Sequence, residues 1–169
     1  MEKCEIQSNK DFLQKHIIDD LNTIVENYPY HAFCIMGITI ELFGKLISPT
    51  HDLNTKDTSE EDFNYAINNI SAFADYKTLP LNLYTSLRCS LAHTMLPGKD
   101  IQLLPDGDKL SCRQFGAKQM YERIVKAWGE VIVNAEAIKK LNKKAAATSP
   151  KLTGGTESNA FKQVCKGKA

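Results

Sequence analysis

The sequence predicts an all-α protein, an up-and-down bundle of about five helices with a short hairpin-like excursion before the last one. Apolar residues recur at helical spacing through most of the first 141 positions. Pro and Gly are few, and Pro29 and Pro80 together with the polar run after Ser48 fall between those periodic stretches. The composition, 43% hydrophobic and 24% charged, is that of a globular chain long enough to bury its own core.

Helix one is expected from Asp11 to Tyr28, where Leu13, Ile17, Leu21 and Ile24 keep the period and Pro29 ends the run. Helix two, from Tyr30 to Ile47, is apolar almost all round and should be the central, most buried element. It is interrupted by Thr39, Glu41 and Lys45, so it reads as a core helix rather than a membrane span. Gly37 and Gly44 lower its helix propensity, which makes sense where a neighbouring helix packs closely. Helix three opens with Ser59 as N-cap, followed by three acids that suit the positive end of the helix dipole. Phe63, Ile67, Ile70 and Phe73 carry its core stripe. Helix four is the stretch "LYTSLRCSLAHTMLPG" from Leu83, with Leu83, Leu87 and Leu91 on one edge. "IQLLPDGDKLSC" reads as a hairpin or extended excursion around Pro105-Asp106-Gly107, and helix five runs from Gln114 to Leu141.

Two regions follow: a helical domain over residues 1–141 and a basic tail over 142–169 that lacks a core pattern and is expected to be disordered. Six lysines against Glu157 give the tail +5, which leaves −4 for the rest of a chain whose formal charge is +1. An acidic body argues against broad affinity for nucleic acid, so any such chemistry needs a local site. The five cysteines are scattered without a C-x-x-C pair, which fits free thiols in a reducing cytoplasm better than disulfides or zinc. The first residues, "MEKCEIQSNKDFLQKH", show no apolar signal core. A cytoplasmic location without membrane attachment is the expectation.

Helix four also carries Arg88 and His93, two side chains a plain packing helix has little use for. A histidine titrates near neutral pH and can act as base or acid, and an arginine offers a planar fork matched to phosphate oxygens. The structural alternatives are equally concrete. Arg88 can pair with Glu41, the lone acid of the most apolar helix, where an unpaired carboxylate is costly. His93 can cap the C-terminus of its helix. The other histidines, His16, His31 and His51, read as a helix-face, a helix-start and a loop residue.

The segment around Arg88, with a capped helix and a very apolar helix before it, resembles the HEPN domain, whose signature is R-x4-6-H near the start of its last long helical segment. The likeness spans residues 11–141 in helix order and rests in detail on about a dozen residues around Arg88. It implies a small helical bundle, dimeric, acting as a metal-independent endoribonuclease in a toxin–antitoxin or other defence setting. Arg88 would bind the scissile phosphate and His93 would move protons. RNA would be the substrate, a second copy and an antitoxin protein the partners, with no cofactor and no metal. Five helical residues place the two side chains roughly 140° apart, so a two-fold axis that pairs each arginine with the partner's histidine is the expected solution. The chain departs from the family pattern at Cys89, where active members carry a polar residue after the arginine. It departs again at Met95, where members silenced by adenylylation carry tyrosine. A non-catalytic module that dimerises and binds a partner, with a structural R-x4-H pair, is the alternative.

Overall fold

The computed structural model describes residues 8–105 and 113–142. They form a bundle of seven helices and one two-stranded ladder. Helix α1 covers 9–27 as three consecutive pieces, Asn9–Leu13, a π segment Gln14–Asp19 and Asp20–Asn27. Then come α2 (Pro29–Ile47), α3 (Ser59–Asn69) and α4 over 71–77, a 3₁₀ turn running into a short α-helix. Helix α5 covers 84–94, a π segment Tyr84–Cys89 followed by Ser90–Thr94. Strands β1 (Gln102–Leu104) and β2 (Gln114–Gly116) precede α6 (Ala117–Val131) and α7 (Ala135–Leu141).

Helix α2 is the axis of the core. Pro29 supplies its first turn, where a missing N–H costs nothing. Ala32, Phe33, Met36, Ile40, Phe43 and Leu46 are buried, and α1, α3, α6 and α7 all pack against it. Phe43 stacks on Trp128 of α6 with ring centres 5.8 Å apart. By length and composition α2 would suffice to cross a membrane, yet 56% of its most apolar window is buried inside the bundle, as a core helix requires.

At Gly44 the helices come too close for any side chain, and at Gly37 they leave a tight fit. A Cβ on Gly44 would lie 1.7 Å from the Asp62 carbonyl oxygen of α3, and one on Gly37 would meet the Arg88 Cα at 3.3 Å.

Four expectations need correction. Helix five does not run from Gln114 to Leu141. Gln114–Gly116 is strand because Phe115 is drawn into the core, edge-on to Tyr76, and that tertiary contact overrides the helical pattern. The remainder divides at residues 132–134, where Asn134 accepts hydrogen bonds from the Glu136 and Ala137 N–H groups and starts α7. The excursion is no hairpin either: β1 and β2 pair in parallel, Leu103 opposite Phe115, which turns both side chains into the core. Finally, α3 is preceded by Thr58 at the N-cap position instead of Ser59, and the Thr58 hydroxyl donates to Asp62 rather than capping the helix. Residues 106–112, with the Pro105-Asp106-Gly107 turn's last two positions, and the tail beyond 142 lie outside the described residues.

Candidate functional site

Arg88 sits near the end of the π segment of α5. The Asn82 side-chain oxygen accepts the Thr85 N–H at the start of this helix. Widening the turn leaves the Thr85 carbonyl to Ser90, which meets it with both its N–H and its hydroxyl, the latter at 2.8 Å. The helix closes at Met95, whose left-handed backbone (φ 59°) lets its N–H reach the Leu91 carbonyl. The chain then folds back so tightly that a Cβ on Gly98 would lie 2.7 Å from the Ser86 Cα.

The Arg88–Glu41 pairing is present. Arg88 Nε lies 2.6 Å from Glu41 Oε2, and both side chains are mostly buried, 18% and 14% exposed. The two atoms are out of line for a hydrogen bond, so opposite charge rather than proton direction holds the contact. The guanidinium carbon is 5.9 Å from the centre of the Tyr84 ring. Burial, only partly offset by the Arg88 charge, holds the Tyr84 phenol above its ordinary titration range. With Nε spent on Glu41, the two terminal nitrogens of Arg88 remain for an anion.

His93 lies in the last turn of α5, exposed, and no described residue makes a hydrogen bond or ion pair with it. It therefore does not cap its helix through a side-chain hydrogen bond to a described residue. Met95 and Leu96, which follow it beyond α5, and Ile38 on α2 are large apolar side chains exposed to solvent. Cys89 is half-buried with a free thiol. The clefts described on the surface are lined by other residues. Within one chain, then, Arg88 is anchored, His93 is engaged by no described residue, and no shared pocket joins them among the described clefts.

Sequence reasoning missed a second polar cluster. Asp62, fully buried, receives Thr58 Oγ1 at 2.7 Å and lies 2.7 Å from His51 Nδ1, with Lys45 Nζ 3.6 Å away. Lys45 donates to the Thr55 carbonyl, and Lys140 of α7 donates to the Lys45 and Ser48 carbonyls at the end of α2. The cluster fastens the loop between α2 and α3 to both helices. His51 Nε2 faces Glu61 at 3.7 Å. Nothing in the local sequence separates Asp62 from Glu60 and Glu61, its neighbours in the first turn. Only the burial of position 62 does so.

Among the described residues no three His, Cys, Asp or Glu side chains come together to hold a metal ion. The fold and these groups define the chain as a compact helical bundle with one anchored cation at the surface of its fifth helix. No protein-family model matches the sequence, and neither the curated proteins nor the solved structures contain a match.

Proposed function

We propose that the chain is a metal-independent endoribonuclease of HEPN type, working as a homodimer in a cytoplasmic defence or toxin–antitoxin setting. One observation carries this reading. A π segment holds an arginine against a mostly buried carboxylate, and five residues later the helix presents an exposed histidine that no described residue engages. Single π turns inside α-helices frequently mark functional sites.

The chemistry follows from those groups. Arg88 places its terminal nitrogens on two non-bridging phosphate oxygens and stabilises the charge that grows on them. His93, neutral, takes the proton of the ribose 2′-hydroxyl. The 2′-oxygen bonds to phosphorus, the bond from phosphorus to the 5′-oxygen breaks, and the imidazolium returns its proton to that oxygen. The products are a 2′,3′-cyclic phosphate and a 5′-hydroxyl. Arg88 and His93 of one chain diverge around the helix, so a two-fold contact brings each arginine to the partner's histidine. Ile38, Met95 and Leu96 supply exposed apolar surface for that contact.

A second reading has its own support. The Glu41 carboxylate neutralises the arginine, and that pairing alone would be enough for a structural role in a non-catalytic dimerising module. The experiment separates the two. Incubation of purified protein with transfer RNA and structured messages in EDTA should give cleavage. His93→Ala should lower it at least about 100-fold with an unchanged melting temperature, because the side chain it removes is exposed and engaged by no described residue. No cleavage by the wild-type chain, or a variant as active as wild type, removes the proposal.

A further inference from the structure

The tail over 142–169 carries +5 and the rest of the chain −4, so the two halves of the sequence attract each other. One cleft of the bundle has the groups to receive that tail. It holds about 420 Å³ and lies between the second half of α1 and the start of α6. Val25, Pro105 and Tyr121 give it an apolar wall, and Glu26 and Glu122, both exposed, line it from the two helices. Neither carboxylate is neutralised by a described residue. Glu26 accepts from the Asn22 amide at 3.4 Å, and no described residue makes a hydrogen bond or ion pair with Glu122. Lys118, the one cation of the lining, pairs with neither of them. Their field reaches Tyr121, where burial first, and then the Asp19 and Glu26 charges, hold the phenol above its ordinary range. Apolar wall beside uncompensated acids calls for a cation carried next to an apolar group.

The chain supplies such a pair itself. Phe161 is the one aromatic residue of the tail, and Lys162 follows it directly. The point of attachment suits the distance. The Asn9 amide at the start of α1 donates to the Lys140 carbonyl at 3.2 Å, so α7 ends beside that start. Glu26 lies roughly 25 Å further along α1, at a rise of about 1.5 Å per residue. Lys143 and Lys144 stand too near the end of α7 to cover that span, since two residues reach about 7 Å. The roughly 20 residues from Asn142 to Lys162 are mostly small and polar, and as a coil they span roughly 25 Å. A tether favours docking most when its mean span matches the distance to be covered.

We infer that the tail docks in this cleft of its own chain, Phe161 against Val25, Pro105 and Tyr121, and the Lys162 ammonium on Glu26 and Glu122. The inference stands apart from the nuclease reading, since the cleft contains neither Arg88 nor His93.

Carbodiimide cross-linking of the full chain, read by mass spectrometry, tests it, because the reagent joins an amine to a carboxylate only where the two touch. Lys162 should be joined to Glu26 or Glu122 at least about five-fold more often than Lys143 or Lys144 is. In a mixture of isotope-labelled and unlabelled protein, no such link should join a labelled chain to an unlabelled one. Phe161→Ala keeps every charge but loses the apolar contact, so it should lower the yield at least about five-fold. An ammonium drawn in by the acidic field alone would keep its yield in that variant. Should Phe161→Ala fold poorly, hydrogen exchange of the wild-type chain must show protection around Phe161 that high salt removes. The proposal is overturned by the absence of these links, by their being no more frequent than those of Lys143 and Lys144, or by links between copies. A yield unchanged in folded Phe161→Ala, or no salt-sensitive protection, overturns it as well.

Discussion

Arg88 is fixed by a single carboxylate, and that decides how substitutions at the pair are to be read. Glu41→Ala removes the countercharge from a mostly buried guanidinium and should cost about 1–3 kcal/mol, between the values for surface and buried pairs. Chemical denaturation checks this. Arg88→Ala strands Glu41 in the same way, so Arg88→Lys is the cleaner probe of phosphate binding. A lysine keeps the charge and loses the fork. Loss of cleavage in Arg88→Lys without loss of stability is the expected result. This pair was legible in the sequence because Glu41 is the lone acid in an otherwise apolar helix. The pair formed by His51 and Asp62 was not, because a loop histidine and a first-turn acid both have ordinary solvated roles.

The helices themselves were legible wherever one apolar stripe ran unbroken. The extent of α2 follows from period and punctuation. The stripe expected to run on through Ile70 and Phe73 breaks instead at Asn69, where Ile70 turns extended and α4 begins. Gly37 and Gly44 announced close packing before any coordinate did. Gly44→Ala carries that argument to a number. Its Cβ meets backbone, which cannot swing aside as a side chain would. The α2–α3 contact must open, at a cost of at least about 3 kcal/mol. A melting temperature within a degree or two of wild type would contradict that packing. The two π segments were invisible, since a single widened turn leaves no mark in apolar spacing. The parallel β1–β2 ladder was missed for a similar reason. Phe115 belongs to the core through distant partners, and a period read along the chain cannot see them.

Taken as a whole, the bundle has a stability that should respond to alkali in a defined direction. Burial is the largest influence on Tyr76, ahead of Arg123, and it raises the phenol well above its ordinary value of 10.0. The folded state then holds a proton that the unfolded chain gives up. Stability is therefore full below pH 10 and falls as pH rises beyond it, by up to about 1.4 kcal/mol per pH unit for this group. Tyr84 and Tyr121, raised in the same sense by burial, add to the slope. Melting temperatures between pH 9 and 11.5 should drop more steeply for wild type than for Tyr76→Phe, and equal slopes would refute the assignment.

The nuclease proposal requires that each site draw its arginine from one copy and its histidine from the other. Mixing inactive Arg88→Lys and His93→Ala proteins, with time for subunits to exchange, tests this directly. Half of the randomly formed dimers would hold one site with both wild-type groups, so cleavage should return to about a quarter of the wild-type rate. A mixture as inactive as its two components, from variants shown to exchange subunits, would contradict the shared site.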